Sequence, residues 1–225
     1  MIRIAGILPG LARNTSGHSV IEFTLALPFL LTLGLWGTEL ANLELTHMKV
    51  AEVAEHLADN ASRIGDTSTL QNRKIFESDI NDMFNGANIQ GGSKIDFFEN
   101  GRAIISALET RPGGSGQQFI HWQRCKGKKV ASSSYGNAGD DVSGMGPAGH
   151  QITASDGLPA IFVEVVYKYK PIVSNTFAMN TTIRSTAAFS VRDNRDLQQI
   201  YQRSPGNPNH VSGCSLYDGV TTPNI

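Results

Sequence analysis

One long apolar run near the start of the chain limits what this protein can be more than any other feature. The 21 residues from Val20 to Leu40 contain only two charged side chains, those of Glu22 and Glu39. A helix needs about 20 predominantly apolar residues to cross the hydrocarbon core of a membrane. The run therefore predicts one membrane-spanning helical segment over residues 18–41.

The charges on either side of the run predict its orientation. Arg3 and Arg13 precede the run with no acidic residue beside them, whereas Glu39 and Glu44 lie at its end and beyond it. Positively charged flanks stay in the cytoplasm, so everything after about residue 41 is expected to lie on the other side. We expect a single-pass membrane protein with a cytoplasmic N-terminus and a C-terminal domain on the opposite side of the membrane.

Two simpler explanations of the run leave Glu22 without a role. A cleaved secretory signal has an apolar core of about 7–15 residues that ends at a small-x-small cleavage site. The segment Gly37-Thr38-Glu39-Leu40 contains no such site. A plain uncleaved anchor fits the length of the run, but a carboxylate without a partner among lipid tails is costly.

The residues before Glu22 suggest a partner for its carboxylate. If a peptidase cuts after Gly17, the mature chain begins at His18 and carries a new α-amino group one helical turn from Glu22. In a bundle of such helices, the amine of one chain can pair with Glu22 of its neighbour, and pairing makes a buried carboxylate tolerable. Alternatively, Glu22 lies close enough to the boundary to reach the headgroups. The residues alone leave both possibilities open.

This segment resembles the processing and membrane segment of type IV pilin-like proteins. Gly17 is followed after four residues by Glu22 and Phe23, and Pro28 stands six residues beyond the acid. More closely, the pattern resembles the TadE-like pseudopilins of the tight-adherence (Tad or Flp) pilus system. Two later segments are similar to late strands of that family, namely 163–171 and 187–193.

The resemblance implies a minor pilin or pseudopilin that helps to assemble a Tad/Flp-type pilus for adhesion. A prepilin peptidase would cut after Gly17, His18 would become the N-terminus, and Glu22, with Phe23 and Pro28, would serve assembly. Many type IV pilins begin with an N-methylated phenylalanine, and His18 departs from that pattern. The implied partners are the inner membrane, the prepilin peptidase and other pilins or pseudopilins. Neither an enzymatic activity nor a cofactor is implied.

The resemblance also divides the chain into a leader (1–17), the transmembrane half of a long helix (18–41) and an outward α+β head (42–225). The head contains a glycine- and serine-rich loop at 126–158, of a length that is usually functional or mobile. A rival interpretation is a permanently membrane-anchored periplasmic binding protein or enzyme that uses its first segments only as a tether. Processing of the leader distinguishes the two interpretations.

The hydrophobic pattern continues beyond the membrane segment as a stripe on one helix face. Residues of this face recur at spacings of three and four, at Leu40, Leu43, His47, Val50, Ala54, Leu57, Ala61 and Ile64. One helix from Ser19 to Arg63 is therefore expected, closed by Gly65-Asp66-Thr67, with its second half packed on the soluble domain. Pro28 lacks an amide hydrogen and should weaken or kink the membrane half.

Strand signals follow helix signals in the rest of the chain. Ser68-x-x-Gln71 resembles a capping box that opens a second helix, and Asn85-Gly86 is its expected stop. Residues 95–98 and 103–108 are predicted to form a β-hairpin around Asn100-Gly101. Three more strands are expected, at 118–125, 161–170 and 181–191. This order predicts an α+β fold in which the long helix packs on an antiparallel sheet of about 4–5 strands. The resemblance described above implies the same architecture, that of a pilin-like protein.

The two cysteines of the chain, Cys125 and Cys214, are predicted to form a disulfide. The orientation argued above places both in an oxidising compartment, where disulfides form and persist. The bridge would close a loop of about 90 residues and hold the irregular C-terminal tail against the third strand. Two separate thiols are the alternative. A zinc site is not expected at either cysteine.

Composition and context argue against several other functions. The 19 basic and 20 acidic residues give a net charge of -1, which offers no basis for binding nucleic acid through its phosphates. Gly144-x-Gly146-x-x-Gly149 matches a dinucleotide-binding pattern, but Pro147 lies within it and no helix is signalled after it. Asp141-Val142-Ser143 resembles the start of a metal-binding motif in which Met145 replaces the second serine.

Hydrolytic chemistry finds little support in the residue pattern. Glu109 and Glu164 could be imagined as a pair of glycosidase acids, but Glu164 lies in a strand of alternating character. Its side chain is expected to face the surface as a partner of Lys168. The chain contains no Gly-x-Ser-x-Gly nucleophile motif. We therefore predict no catalytic, metal or cofactor site.

Overall fold

The protein combines a long N-terminal helix with a five-stranded antiparallel sheet. The computed structural model describes residues 17–66, 72–113, 116–176 and 181–219. The chain divides into two units, of which the first contains residues 17–43 and 171–176 and the second contains the remaining described residues. Residues 1–16 of the expected leader and the proposed capping box, Ser68 and Gln71, lie outside the described residues.

Helix α1 spans His18–Arg63, as the continuous hydrophobic pattern predicts. Its 46 residues correspond to a length of about 69 Å at 1.5 Å per residue. In the last turn the Arg63 guanidinium lies 2.7 Å from the Asp59 carboxylate. Gly65 follows with a φ of 137°, a backbone conformation that favours glycine. The helix therefore ends where the sequence predicts.

The second half of α1 packs on the sheet through one face. Its buried apolar side chains are Val50, Val53, Ala54, Leu57, Ala58 and Ala61. Four of them belong to the predicted stripe, whereas Leu43, His47 and Ile64 of that stripe are half-buried and Leu40 is exposed. Arg195, which is also buried, donates hydrogen bonds to the carbonyl oxygens of Ala61 and Ser62. Burial lowers the pKa of the Arg195 guanidinium to about 10. These bonds satisfy carbonyls that have no intrahelical donor, at the helix end where a positive charge is favourable.

The sheet is antiparallel throughout, and its strands lie in the order β3-β2-β1-β4-β5. The strands are β1 (Gly101–Thr110), β2 (Gln118–Lys126), β3 (Asp141–Val142), β4 (Ala160–Lys168) and β5 (Thr182–Ser190). Two further helices precede β1, namely α2 (Glu77–Ile95) and α3 (Phe97–Asn100). The predicted α+β fold is confirmed, and β2, β4 and β5 coincide with three of the predicted strands.

The predicted hairpin around Asn100-Gly101 is wrong. Residues 97–100 form helix α3, and Ile95 is the last residue of α2 rather than part of a strand. Between the two helices, Asp96 adopts a left-handed conformation with a φ of 46°. The Asn100 side chain donates hydrogen bonds to the carbonyls of Ile95 and Asp96, at 3.2 and 3.1 Å. Asn-Gly closes a helical turn here because both residues suit helix ends as well as hairpins.

Helix α2 also differs from its prediction, because it continues past Asn85-Gly86 as far as Ile95. The helix is interrupted at Gly92, whose φ is 70°. Ala87 and Ile95 are buried in this continuation, so packing there outweighs the low helix propensity of glycine. The expected stop at Asn85-Gly86 is therefore wrong.

The central strands β1 and β4 are buried on both faces of the sheet. One face meets a helix, since the Tyr167 hydroxyl donates a hydrogen bond to the Ile95 carbonyl at 2.9 Å. The other face is covered by the loop at 126–158, because its Met145 belongs to one hydrophobic cluster with Leu108 and Phe162. The glycine- and serine-rich loop is thus a packed layer of the head, and it contributes the short strand β3.

Candidate functional site

The first half of α1 leaves its large apolar side chains uncovered. Ten of them are between 46% and 73% exposed, namely Val20, Ile21, Phe23, Leu25, Phe29, Leu30, Leu31, Leu33, Leu35 and Trp36. Their spacing distributes them around the whole helix rather than along one face. Exposed apolar surface of this extent marks contact with lipid or with protein. Of the helices in the described ranges, only α1 is long and apolar enough to cross a membrane.

The predicted processing and assembly residues lie together at the start of α1. Gly17 directly precedes the helix, and His18 is its first residue. The side chains of Glu22 and Phe23 are exposed one turn later, and Pro28 lies inside the helix. A cut after Gly17 would therefore leave the whole of α1 in the mature chain.

Glu22 has a partner in its own chain that the sequence analysis missed. The Glu22 Oε1 atom lies 3.0 Å from the His18 Nε2 atom, and both side chains are largely exposed. The signal was present in the sequence, because residues four apart are neighbours on a helix surface. The acid at the head of the apolar run therefore has two candidate partners, the His18 imidazole and the amine that processing would create.

The hydroxyl groups within the apolar run are satisfied by the helix itself. Thr24 donates a hydrogen bond to the Val20 carbonyl at 2.7 Å, and Thr32 donates to the Pro28 carbonyl at 2.7 Å. Thr38 donates to the carbonyl of Gly34, four residues before it, at 2.9 Å. Side chains bonded in this way expose no unmet donor, which is a requirement for a helix surrounded by hydrocarbon.

The second acid of the run, Glu39, is in a quite different environment from Glu22. Glu39 is only 1% exposed. Its Oε2 atom accepts hydrogen bonds from the backbone N–H groups of Ile172 and Val173, at 3.1 and 2.7 Å. Bonds of this kind to an ionised acceptor are among the stronger ones in proteins. Glu39 therefore fastens the start of the connection between β4 and β5 to α1, a role that the sequence did not predict.

The predicted disulfide between Cys125 and Cys214 is present and joins β2 to the C-terminal tail. The fully buried side chain of Arg102 reinforces this connection. Its guanidinium donates to the carbonyls of Cys214 and Leu216, at 2.7 and 2.8 Å, and lies 4.1 Å from the centre of the Tyr217 ring. The tail is thus held by a covalent bond, by hydrogen bonds and by a cation–π contact.

Glu164 does not face the surface, so that prediction is wrong. The residue is only 3% exposed, and its carboxylate accepts hydrogen bonds from the Ser133 hydroxyl and the Ser134 backbone N–H. Its expected partner, Lys168, is exposed at the end of β4. The loop at 126–158 explains the error, because it covers the face of the sheet from which Glu164 projects.

Glu109 and His121 form the most distinctive polar pair of the head. Glu109 is buried, and its Oε1 atom lies 3.0 Å from the His121 Nδ1 atom. This hydrogen bond raises the pKa of His121, because the carboxylate favours the protonated imidazole. The pair borders an open groove of about 580 Å³ that is also lined by Arg111, Phe119 and Asp156. With Nδ1 engaged, Nε2 is the ring nitrogen that remains for a ligand in this groove.

The other motifs of the 126–158 loop have structural roles. The Asp141 carboxylate lies 2.7 Å from the Arg111 guanidinium. Met145 and Ile152 exchange two backbone hydrogen bonds, and a side chain at Gly144 would approach the Ile152 carbonyl to 2.9 Å. Gly144 therefore allows a close approach of two backbone segments. In the part of the chain that the structure describes, no group of three histidine, cysteine, aspartate or glutamate residues could hold a metal ion.

The chain matches no protein-family model, no curated protein and no solved structure. The features that bear on its function are therefore those of the chain itself. The first is the uncovered half of α1 with Glu22 near its start, and the second is the groove beside Glu109 and His121.

Proposed function

We propose that this protein is a TadE-like minor pilin or pseudopilin that takes part in assembling a Tad/Flp-type pilus. The observation that carries the proposal is the uncovered half of α1, which begins at His18 and bears an acid one turn later. A helix that only anchors a protein requires length and hydrophobicity but no acid inside the apolar run. Glu22 therefore favours a role in assembly over a role as a simple tether.

The proposed topology places the N-terminus in the cytoplasm and the head outside the inner membrane. The arginines at positions 3 and 13 precede the span and favour this orientation. The disulfide between Cys125 and Cys214 supports it independently, because such bonds persist in oxidising compartments. In this topology the processing site at Gly17 faces the cytoplasm, and the head can contact partners outside the membrane.

The proposed assembly step is an exchange of partners at Glu22. In a single chain the carboxylate contacts the His18 imidazole. Once the leader is removed, the α-amino group of a neighbouring chain or sister subunit can approach Glu22 within a bundle of apolar helices. A neighbour shifted along the axis would leave charges unpaired in an apolar environment, which is costly. The pair therefore favours one register between adjacent subunits.

Processing at Gly17 provides the most direct test of this proposal. We expect the intact mass of membrane-derived protein to match a chain that begins at His18 when the cognate prepilin peptidase is present, and at Met1 when the peptidase is deleted. Gly17→Leu should block the cut, because the peptidase is expected to require glycine before the new N-terminus. A chain that begins at Met1 despite an active peptidase would contradict the proposal.

Gly34→Leu provides a matched control for the processing experiment. A Cβ atom added at Gly17 or at Gly34 meets no atom within 4 Å, so we expect neither position to resist a side chain. Gly34 lies inside α1, away from the proposed cut. The Gly34→Leu chain should be processed normally, and a block in both variants would point to an effect on membrane insertion instead.

The rival function is that of a permanently anchored periplasmic binding protein or enzyme, and one observation favours it. The groove beside Glu109 and His121 combines a buried carboxylate, an imidazole and an arginine in an open space. Such a combination is typical of sites that bind a small polar ligand. An unprocessed chain that remained functional with its leader attached, and lost function on His121→Ala, would support the rival.

A further inference from the structure

The position of Glu39 on α1 places it at the outer boundary of the proposed span. At 1.5 Å per residue, Glu39 lies about 28 Å along the helix from Val20. The hydrocarbon core of a bilayer is about 30 Å thick. If the apolar run begins at the inner boundary, Glu39 is therefore level with the outer layer of headgroups.

The start of the β4–β5 connection is fixed at this same level. The backbone N–H groups of Ile172 and Val173 both donate to the Glu39 carboxylate, which is almost completely buried. Residues 171–176 belong to the same unit as the apolar half of α1. The connection is therefore held beside the helix at the point where the helix would leave the membrane.

The composition of this connection suits a membrane surface. The Ile172 side chain is 56% exposed although it is large and apolar. No charged residue occurs between Pro171 and Ile183, whereas two exposed lysines, Lys168 and Lys170, come directly before this stretch. Apolar side chains flanked by cations are the pattern of segments that lie in the boundary between headgroups and acyl chains.

We infer that residues 171–176 form a second membrane contact, in which Ile172 enters the outer headgroup boundary while Glu39 holds the backbone of the connection against α1. The partner is the lipid bilayer itself, with its anionic headgroups close to Lys168 and Lys170. The inference rests on the membrane span of the proposed function, but it requires neither processing nor pilus assembly.

Spin labelling of the full-length chain in vesicles of phosphatidylcholine and phosphatidylglycerol tests the inference. Because both native cysteines are in the disulfide, a label would attach only to an introduced cysteine. We would compare Ile172→Cys with Ile89→Cys, an exposed site in the head, and with Leu30→Cys inside the span. Collisions of the label with oxygen and with a water-soluble nickel complex report contact with lipid and with water, respectively.

We expect the label at position 172 to collide with nickel severalfold less often than the label at position 89. Glu39→Ala should release the connection and raise nickel access at position 172, whereas Glu44→Ala, at an exposed acid of the same helix, should not. If the labels at positions 172 and 89 collided with nickel equally often while the label at position 30 contacted lipid, this inference would be wrong but the proposed membrane span would stand. Water exposure at position 30 would overturn the proposed membrane span as well.

Discussion

The two halves of α1 contain similar apolar residues but place them in opposite environments. Val20 is 66% exposed in the first half, whereas Leu57 is 2% exposed in the second. The difference follows from spacing, since the first half is apolar around its whole circumference and the second half is apolar along one stripe. One sheet can cover a stripe, whereas a helix that is apolar on all sides needs lipid or several protein segments around it. The difference supports the proposal that the first half lies in lipid.

Truncating one leucine in each half of α1 should give the largest difference in the free energy of unfolding of the head. Leu57→Ala removes a fully buried side chain from the head, and we expect a loss of about 2–5 kcal/mol in its free energy of unfolding. Leu30→Ala should change that free energy by less than about 0.5 kcal/mol, because the Leu30 side chain is 60% exposed. Denaturant titration of the full chain in detergent, followed by Trp122 fluorescence in a Trp36→Phe background, measures both changes. Similar losses in the two variants would contradict the division of the helix.

The disulfide offers a second way to separate the two regions. Replacing both Cys125 and Cys214 by alanine should lower the free energy of unfolding of the head by about 2–4 kcal/mol, because the bridge closes a long loop. The helix content of the membrane half should not change, since the bridge lies wholly in the head. Thiol labelling without reductant should find no free cysteine in the native chain. Quantitative labelling of both cysteines would contradict the disulfide.

Of the three changes, loss of the Glu109–His121 pair should have the smallest effect on the free energy of unfolding of the head, and this effect should depend on pH. The pKa of His121 is raised in the folded head, so the stabilisation is fully present below the ordinary pKa of about 6.5 and is lost as the pH rises through the raised value. The positive charge of Arg111 disfavours the protonated imidazole. Asp156 lines the open groove beside the pair, and Asp196 lines a second pocket next to it.

Glu109→Gln is therefore expected to cost about 1 kcal/mol at acidic pH and less at alkaline pH. Thermal unfolding of the full chain in detergent at about pH 5.5 and about pH 8.5 would measure the difference. Asp156→Asn, which changes an exposed carboxylate of the same groove, should show a smaller dependence. A penalty for Glu109→Gln that grows toward alkaline pH would contradict the assignment of the proton to His121.

Periodic patterns predicted the fold well, because they depend only on neighbours along the chain. The stripe through Val50 and Leu57 located the buried face of α1, and alternation located β2 and β4. The errors occurred where distant segments decide the environment. The burial of Glu164 depends on Ser133 and Ser134, whose position over the sheet the sequence does not show. Asn100-Gly101 is typical of a hairpin turn, but its role at a helix end depends on how Asp96 and its neighbours pack.

In the candidate site, too, a contact between residues close in the sequence was predictable, whereas the contacts of Glu39 with distant residues were not. The His18–Glu22 contact follows from local information, because residues four apart are neighbours on a helix surface. The role of Glu39 was not predictable in this way. Its partners, Ile172 and Val173, are more than a hundred residues away in the sequence, and only the fold brings them to the C-terminal end of the apolar run.

Piliation of a strain that carries Glu22→Ala shows whether this acid serves assembly, with Glu44→Ala as the control for an exposed acid of the same helix. We expect the Glu22→Ala protein to remain membrane-bound and folded, while electron microscopy shows few or no pili. The Glu44→Ala strain should carry pili in normal numbers. Normal piliation of the Glu22→Ala strain would contradict the claim that this acid serves assembly, and would leave the first half of α1 as an anchor only.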